Sequence, residues 1–532
     1  MAACGSRSEL YGGAVAFGGS GGSAGTAAGS GGATGGSGGS TLLPEPECMV
    51  ASDCPPPPPE QCGTTICDAG VCRLTVSVTC DDDDPCTLDF CSNDRCRFED
   101  GRLDADGDGY LATGNREEPN AAYGCGNDCD DTRSDVHPGA DELCDGVDND
   151  CDVAVDEGAG LFVPSTTPVR VTGPEFEYGL PGGLAFDGER FGATFTGDKN
   201  KARGYFVPLS RAGTRLAEPQ TVTKVNAASS GGALVWDGRR YLTAYQDARQ
   251  DQQYEVYFNI LNAAGERLVE DVRLTDAGGF SLDPALVWTG TESVVVWSDR
   301  RPGTDVDGAI FGQRLSADGA LIGGNVQLAS VQGESPSAAL AGTRLGVVFT
   351  NLDQNDVARL GFLQTSPTNL RTQAANAVTT IDFIDPNDPR VIAVGQRFVV
   401  TFVRFDGNAY GPSVFATVIG PGGIEVSPRA LTGAMTSSNV RSHATLSLGD
   451  RFVTVWSDDA EGNYELYLQI FDARLEPITE RQRLTATALD SVAPRLSLSS
   501  DGALGVLFNE RGQGEFGHVY FTRAECAPAP DQ

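Results

Sequence analysis

The chain has 532 residues, with 73 Asp and Glu against 38 Lys and Arg, for a formal net charge of −35. That length allows about two to four domains with at least one large core. The charge argues against nucleic acid as a partner, because phosphate binding needs a basic face; it suits divalent cations, and it also keeps a chain soluble.

Thirteen of the 15 cysteines lie between Cys48 and Cys151, with Cys4 and Cys526 outside. Dense cysteines in segments too short to build a core indicate disulfides, which persist in oxidising compartments. No run of about 18 apolar residues occurs, so no spanning helix is expected. Met1-Ala2-Ala3-Cys4-Gly5-Ser6 resembles the end of a bacterial lipoprotein signal, where small residues precede the lipid-bearing cysteine. The resemblance implies lipidation of Cys4, an apolar signal region upstream of Met1, and membrane contact through that lipid alone. The expected location is the outer surface of a bacterial cell, or the medium.

Residues 1–46 read as this signal remnant followed by a flexible tether, since Gly12 to Ser40 is almost wholly Gly, Ser, Ala and Thr. Residues 47–100 hold nine cysteines, five consecutive prolines from Pro55 to Pro59, and few large apolar side chains. Only disulfides can hold such a segment, each contributing about 2–4 kcal/mol. Nine is odd, so one cysteine pairs outside the module or stays free, and Cys526 is a candidate partner. A structural zinc cluster is the rival reading, against which the acid-rich spacing without His speaks. Asp84-Pro85-Cys86-Thr87-Leu88-Asp89-Phe90-Cys91 resembles the small cysteine-rich repeats of secreted bacterial proteins.

Residues 101–160 are the acidic segment. Asp104, Asp106 and Asp108 stand at alternate positions, Gly109 follows, and Tyr110 would add a backbone carbonyl. Alternate carboxylates converging on one hard cation, with glycine at the sharp turn, are the first half of a calcium loop. Position 12 of that loop is Asn115 rather than Glu, so a bidentate ligand must come from elsewhere. Asp128, Asp130 and Asp131 are candidates, as are Asp148, Asp150 and Asp152, then Asp156 and Glu157. These strings resemble the acidic metal-binding repeat of secreted bacterial proteins, including the copper-binding surface protein of methane oxidisers, except that Val153 replaces a usual glycine. The resemblance implies a bound metal. Oxygen ligands, with His137 the sole histidine of the segment, favour Ca²⁺ over copper or zinc. Cys125, Cys129, Cys144 and Cys151 are expected in disulfides; a disordered acidic spacer is the alternative.

From residue 161 to 526 a repeat takes over. A turn glycine recurs at Gly188, Gly238, Gly290, Gly342, Gly395, Gly449 and Gly502, in steps of 50 to 54 residues. Each opens an apolar strand ending in an aromatic: Phe195, Tyr245, Trp297, Phe349, Phe402, Trp456 and Phe508. Two more strands follow in each unit, the last patterned Val272-Arg273-Leu274-Thr275 or Gln482-Arg483-Leu484-Thr485 and weakest in the fourth unit, near Ala377 to Phe383. Four short strands per repeat mark propeller blades. The seventh unit lacks its fourth strand, and Val169-Arg170-Val171-Thr172, ahead of the first unit, supplies the missing pattern. The expected fold is therefore mainly β, a seven-bladed β-propeller preceded by a disulfide-rich module and an acidic calcium-loop segment, with residues 527–532 a tail. Six or eight blades, or two β-sandwiches, are the alternatives. Trp297-Ser298-Asp299, Trp456-Ser457-Asp458 and Phe311-Gly312-Gln313-Arg314-Leu315 resemble strings in bacterial extracellular propellers, which implies the fold and not an activity.

No catalytic residue is expected. His443 and His518 sit in separate repeats with no nearby nucleophile motif to complete a triad. The functional expectation is a monomeric, non-catalytic, calcium-binding display of a propeller for a surface glycan or protein. The alternative is a propeller-based glycan hydrolase or lyase, which would need two carboxylates converging in the channel.

Overall fold

The computed structural model describes residues 48–528, apart from 58–60, 94, 114–123, 141, 143–146, 153–158, 165–166, 199–200, 251–252, 277, 303–307, 330, 353–357, 372–378, 382–385, 405–411, 433–438 and 513–516. Cys4, Asn115, Cys144, Val153, Asp156 and Glu157 lie outside the described residues. The chain divides into two units, one formed by residues up to Asp83 together with Leu88–Glu99, the other by Asp84–Thr87 together with the chain from Asp100 onward.

The first unit is built on two hairpins: β1 (Gln61–Asp68) with β2 (Val71–Thr79), and β3 (Thr87–Ser92) with β4 (Arg95–Asp100). Disulfides Cys48–Cys67, Cys54–Cys72, Cys62–Cys91 and Cys80–Cys96 hold it. The buried apolar side chains described here are Cys48, Cys54, Cys62 and Cys80, so sulfur is the core, as a segment this poor in aliphatics requires. All the cysteines of the two sulfur-rich clusters, Cys48 with Cys54 and Cys72 and Cys62 with Cys80 and Cys96, are tied up in disulfides, which removes the zinc alternative. The ninth cysteine, Cys86, pairs with Cys125 in the second unit rather than with Cys526.

The second unit carries a β-propeller. After β5 (Ala159–Pro164) and β6 (Val169–Arg170), six four-stranded antiparallel sheets follow in chain order, spanning 179–221, 233–273, 281–329, 333–381, 386–430 and 440–483. A seventh sheet combines Asp490–Leu498, Leu504–Arg511 and His518–Pro528 with β5, and β6 also pairs with His518–Pro528. Each of the seven turn glycines has positive φ, between 55° and 98°, which a side chain would resist. Each of the seven strand aromatics is buried, none more than 1% exposed. Burial of each such side chain stabilises by about 1.5–3 kcal/mol.

The core is divided into seven clusters, and each lies between consecutive sheets. Tyr241 and Tyr245 meet Phe206 across the first and second sheets, and Trp297 meets Phe258 across the second and third. Leu507, Val519 and Phe521 of the seventh sheet pack with Phe191 and Phe195 of the first. Glycine makes room for these rings: a Cβ on Gly192 would come within 2.6 Å of Tyr241, and one on Gly505 within 2.7 Å of Phe191.

The closing Val-Arg-Leu-Thr pattern has a structural cause. The threonine hydroxyl accepts a backbone N–H from the neighbouring third strand: Val256 to Thr275 at 2.9 Å and Leu466 to Thr485 at 2.8 Å. The arginine curls back so that Nε donates to the threonine carbonyl, as in Arg483 to Thr485 at 2.7 Å. Thr172 and Arg170 repeat both contacts, with Val519 N at 3.0 Å and Arg170 Nε at 2.7 Å from Thr172 O. Residues 169–172 thus do for the last sheet what a fourth strand does for the others. The weak closing strand of the fourth sheet is present as Thr379–Ile381.

Candidate metal centre

The acidic segment folds around its own carboxylates. In the first loop the Oδ1 of each aspartate accepts a nearby backbone N–H: Gly107 N to Asp104 at 2.7 Å, Asp108 N to Asp106 at 3.2 Å, and Tyr110 N to Asp108 at 2.7 Å. Gly107 and Gly109 take positive φ, 82° and 96°, which makes the reversal possible. The second string closes on the first. Ala112 bridges Asp128 in parallel, Asp128 N donates to Leu111 O at 3.0 Å, and Asp131 Oδ1 accepts Ala105 N at 3.0 Å. Gly126 permits this approach, because a Cβ there would sit 1.9 Å from Leu111 O.

One carboxylate centre results. Asp104, Asp106 and Asp108 bring ligand atoms within 4.8 Å of one another, and so do Asp106, Asp128 and Asp131. Asp106 joins both sets. The Oδ2 atoms of Asp106, Asp108, Asp128 and Asp131 are buried and have no hydrogen-bond partner. A buried carboxylate oxygen without a partner is costly, and neighbouring carboxylate charges add to that cost. Burial pushes the Asp128 carboxyl up to about 6; the charges of Asp108, Asp106 and Asp131 add to this, against a hydrogen bond from Asp130 N. Asp131 is raised by burial and by Asp106, Asp104 and Asp108. Protons or a metal cation relieve such a site.

A second cluster joins Asp148 and Asp150 to Glu142. Glu142 was not singled out in the sequence, where it stands outside the alternate spacing; the structure brings its Oε1 to Asp150 N at 2.9 Å. Cys129–Cys151 links the two acidic loops, and Cys86–Cys125 anchors the first. Two expected carboxylates among the described residues stand outside both clusters. Asp130 turns its Oδ1 to the Thr132 hydroxyl at 2.6 Å, and Asp152 belongs to neither cluster. Tyr110 stacks its ring on His137, centroids 4.5 Å apart.

Residues 128–157 match the family model of the Cu-binding MopE metal-binding motif. The match takes in Asp128, Asp131 and the whole second cluster, but begins after the first loop. No curated protein matches the chain. Among solved structures, the β-propeller domain of the Trilobed protease from Pyrococcus furiosus is similar at 9% identity and TM-score 0.40, over 67% of this chain and all of that one. A protein of unknown function from Dyadobacter fermentans is similar at 10% identity and TM-score 0.41, over 68% of this chain and 98% of that one. An α-L-arabinanase from Penicillium chrysogenum is similar at 11% identity and TM-score 0.40, over 68% and 98%. Likenesses this remote carry nothing about chemistry.

The first Trp-Ser-Asp string is tied into the fold, whereas in the second Trp456 Nε1 is buried without a hydrogen-bond partner and Asp458 pairs with Arg481. Trp297 Nε1 donates to Asp299 Oδ2 at 2.7 Å, Arg301 grips the same carboxylate, and Ser298 Oγ reaches Gly333 O of the next sheet at 2.8 Å. His443 is fully buried, its Nε2 2.9 Å from the Thr401 hydroxyl, which fills its place in the packing.

Proposed function

We propose that this chain is an exported calcium-binding protein of the bacterial cell surface, tethered by a lipid on Cys4, whose seven-bladed, ring-closed propeller recognises a surface glycan or protein without catalysis. The observation that carries the calcium assignment is the set of four buried Oδ2 atoms without partners, all oxygens of carboxylates. A hard, large cation takes such donors, and the described residues put no sulfur or imidazole nitrogen among them. The blade count rests on seven successive sheets and on β6 supplying the closing pattern, which removes a free sheet edge. Export and lipidation rest on six disulfides and on the Ala-Ala-Cys string.

Calorimetric titration of the full chain with calcium, and of a variant carrying Asp106→Ala and Asp150→Ala, tests the reading. Saturable binding lost in the variant supports it. Absence of binding up to millimolar calcium, with disulfides intact, reduces the segment to an acidic spacer.

One observation favours the glycan-hydrolase reading. Asp283 and Asp388 line the same cavity, and their environments differ: burial pushes Asp283 up, whereas Arg390, His443 and Arg495 overcome burial and hold Asp388 down. Carboxylates driven apart in this way divide acid and base roles in glycosidases. Release of reducing sugar from polysaccharide by the wild type, lost in Asp283→Asn, would establish that reading.

A further inference from the structure

The first strand of every sheet in the propeller contributes to one cavity of about 600 Å³. Its wall is strained. Asp283, Ser335 and Asp388 take φ of 54°, 50° and 50°, each directly before a proline, and each lines the cavity. Side chains resist positive φ, and the residue before proline resists helical backbone, so each such position is strained. Strain of this kind persists where a fold over-determines it, and it clusters at binding sites.

Charge distinguishes the cavity from the rest of the molecule. Arg390 pairs with Asp388 at 2.6 Å. Arg495 donates from Nε to Gly182 O and from Nη1 to Pro494 O, both at 2.8 Å, and no described carboxylate lies within ion-pairing distance of it. Burial, then the charge of Arg390, lowers Arg495 to about 10. His443, 3.8 Å from Asp388, is held neutral by burial, at about 4. Asp283 is pushed toward its neutral form by burial and by Glu334. Two guanidinium groups thus face the cavity, Arg390 paired with Asp388 and Arg495 held by backbone carbonyls, in a chain of net charge −35.

We propose that this cavity binds a sugar acid, its carboxylate held by Arg390 and Arg495, its hydroxyls by Asp283 and Asp388, and its C–H faces by the prolines of the wall. Guanidinium groups match a carboxylate geometrically, and paired arginines select it over a neutral sugar. Aspartates accept hydroxyl protons, and the small apolar residues between them suit a ring. This rests on the propeller being a recognition module, and it names what that module takes.

The test uses the full chain in excess calcium, with D-glucuronate, D-glucose and inorganic phosphate as probes, followed by calorimetry and saturation-transfer NMR. Glucuronate is expected to bind saturably at millimolar concentration or below, more weakly as salt is raised, with glucose at least about tenfold weaker. Arg495→Gln and Arg390→Gln should each lower glucuronate affinity about tenfold or more with the melting temperature retained. Should Arg495→Gln fail to fold, Arg390→Gln and the contrast between glucuronate and glucose on the wild type decide the matter. Three results overturn the proposal: no glucuronate binding by folded wild type, unchanged binding in a folded arginine variant, or phosphate binding as tightly as glucuronate. Turnover of a glucuronide by the wild type would instead sink the non-catalytic reading and leave the site standing.

Discussion

Replacing Asp128 by Asn separates a metal ligand from a structural acceptor, because the two roles predict opposite signs. The substitution keeps an oxygen for Asp130 N, now 2.9 Å from Asp128 Oδ1, and removes the charge. Asp128 lies within 4.8 Å of both Asp106 and Asp131 through a ligand atom of each. At that distance two unit charges repel by about 1 kcal/mol in water-like surroundings and about 3.5 kcal/mol at an effective dielectric of about 20. Without calcium at pH 7.5 the variant should therefore be as stable as wild type or more stable, by about 2 kcal/mol from the two repulsions at the screened limit. With calcium the order reverses. Loss of one unit charge facing a divalent ion weakens binding by about 2–3 kcal/mol, about 100-fold. Melting curves in chelator and in calcium, with calorimetric titration of both proteins, measure each half. An Asp128→Asn protein that loses as much stability in chelator as in calcium would refute the reasoning, since the carboxylate would then be a structural acceptor.

Gly126→Ala should abolish high-affinity calcium binding without changing any charge, because its Cβ would collide with Leu111 O at 1.9 Å and part the two strings; calorimetry reads the loss, and unchanged near-ultraviolet dichroism of the propeller aromatics shows it to be local. Thr172→Val leaves the buried Val519 N–H without its 3.0 Å acceptor and should cost about 1–3 kcal/mol in denaturant unfolding. For His443 the folded value, about 4, lies below the ordinary 6.5, so the unfolded chain binds the extra proton first. Stability from this group is complete above pH 6.5 and is lost as pH falls toward 4, by up to about 3 kcal/mol. Denaturation midpoints across that interval should slope less steeply in His443→Gln than in wild type.

The repeat was legible because its constraints are local and recur. Gly188 and its six counterparts must reverse the chain at positive φ, and Thr275 and Thr485 must cap a neighbour's N–H, so the same residue types return at the same offsets. Thr172 was readable as the missing strand for that reason. The first metal loop was legible too, since alternate Asp104, Asp106 and Asp108 with glycines between them fix their own turn. What joins the two acidic strings was not: the Ala112 to Asp128 bridge and the close approach at Gly126 depend on backbone geometry that spacing does not encode. Glu142 was missed because it enters its cluster from outside the alternation, and Cys125 because parity shows that a partner exists without saying which. Arg390 and Arg495 carry no motif. They line one cavity from two first strands more than 100 residues apart in sequence, each at a bulge that recurs in other first strands of the propeller.

The Val519 to Thr172 hydrogen bond spans 347 residues of sequence. β5 and β6 leave the ribosome early and have no sheet to join until His518–Pro528 follows them. Six sheets can assemble in order from local hairpins, each adding to the last, while the two leading strands wait with their backbone groups open to solvent. The slowest contact in the fold is therefore its last one, a loop closure over nearly the whole propeller. A chain that stops before His518 loses the pairing of β5 and β6 at once, which makes synthesis of His518–Pro528 the step that commits the propeller to its native state.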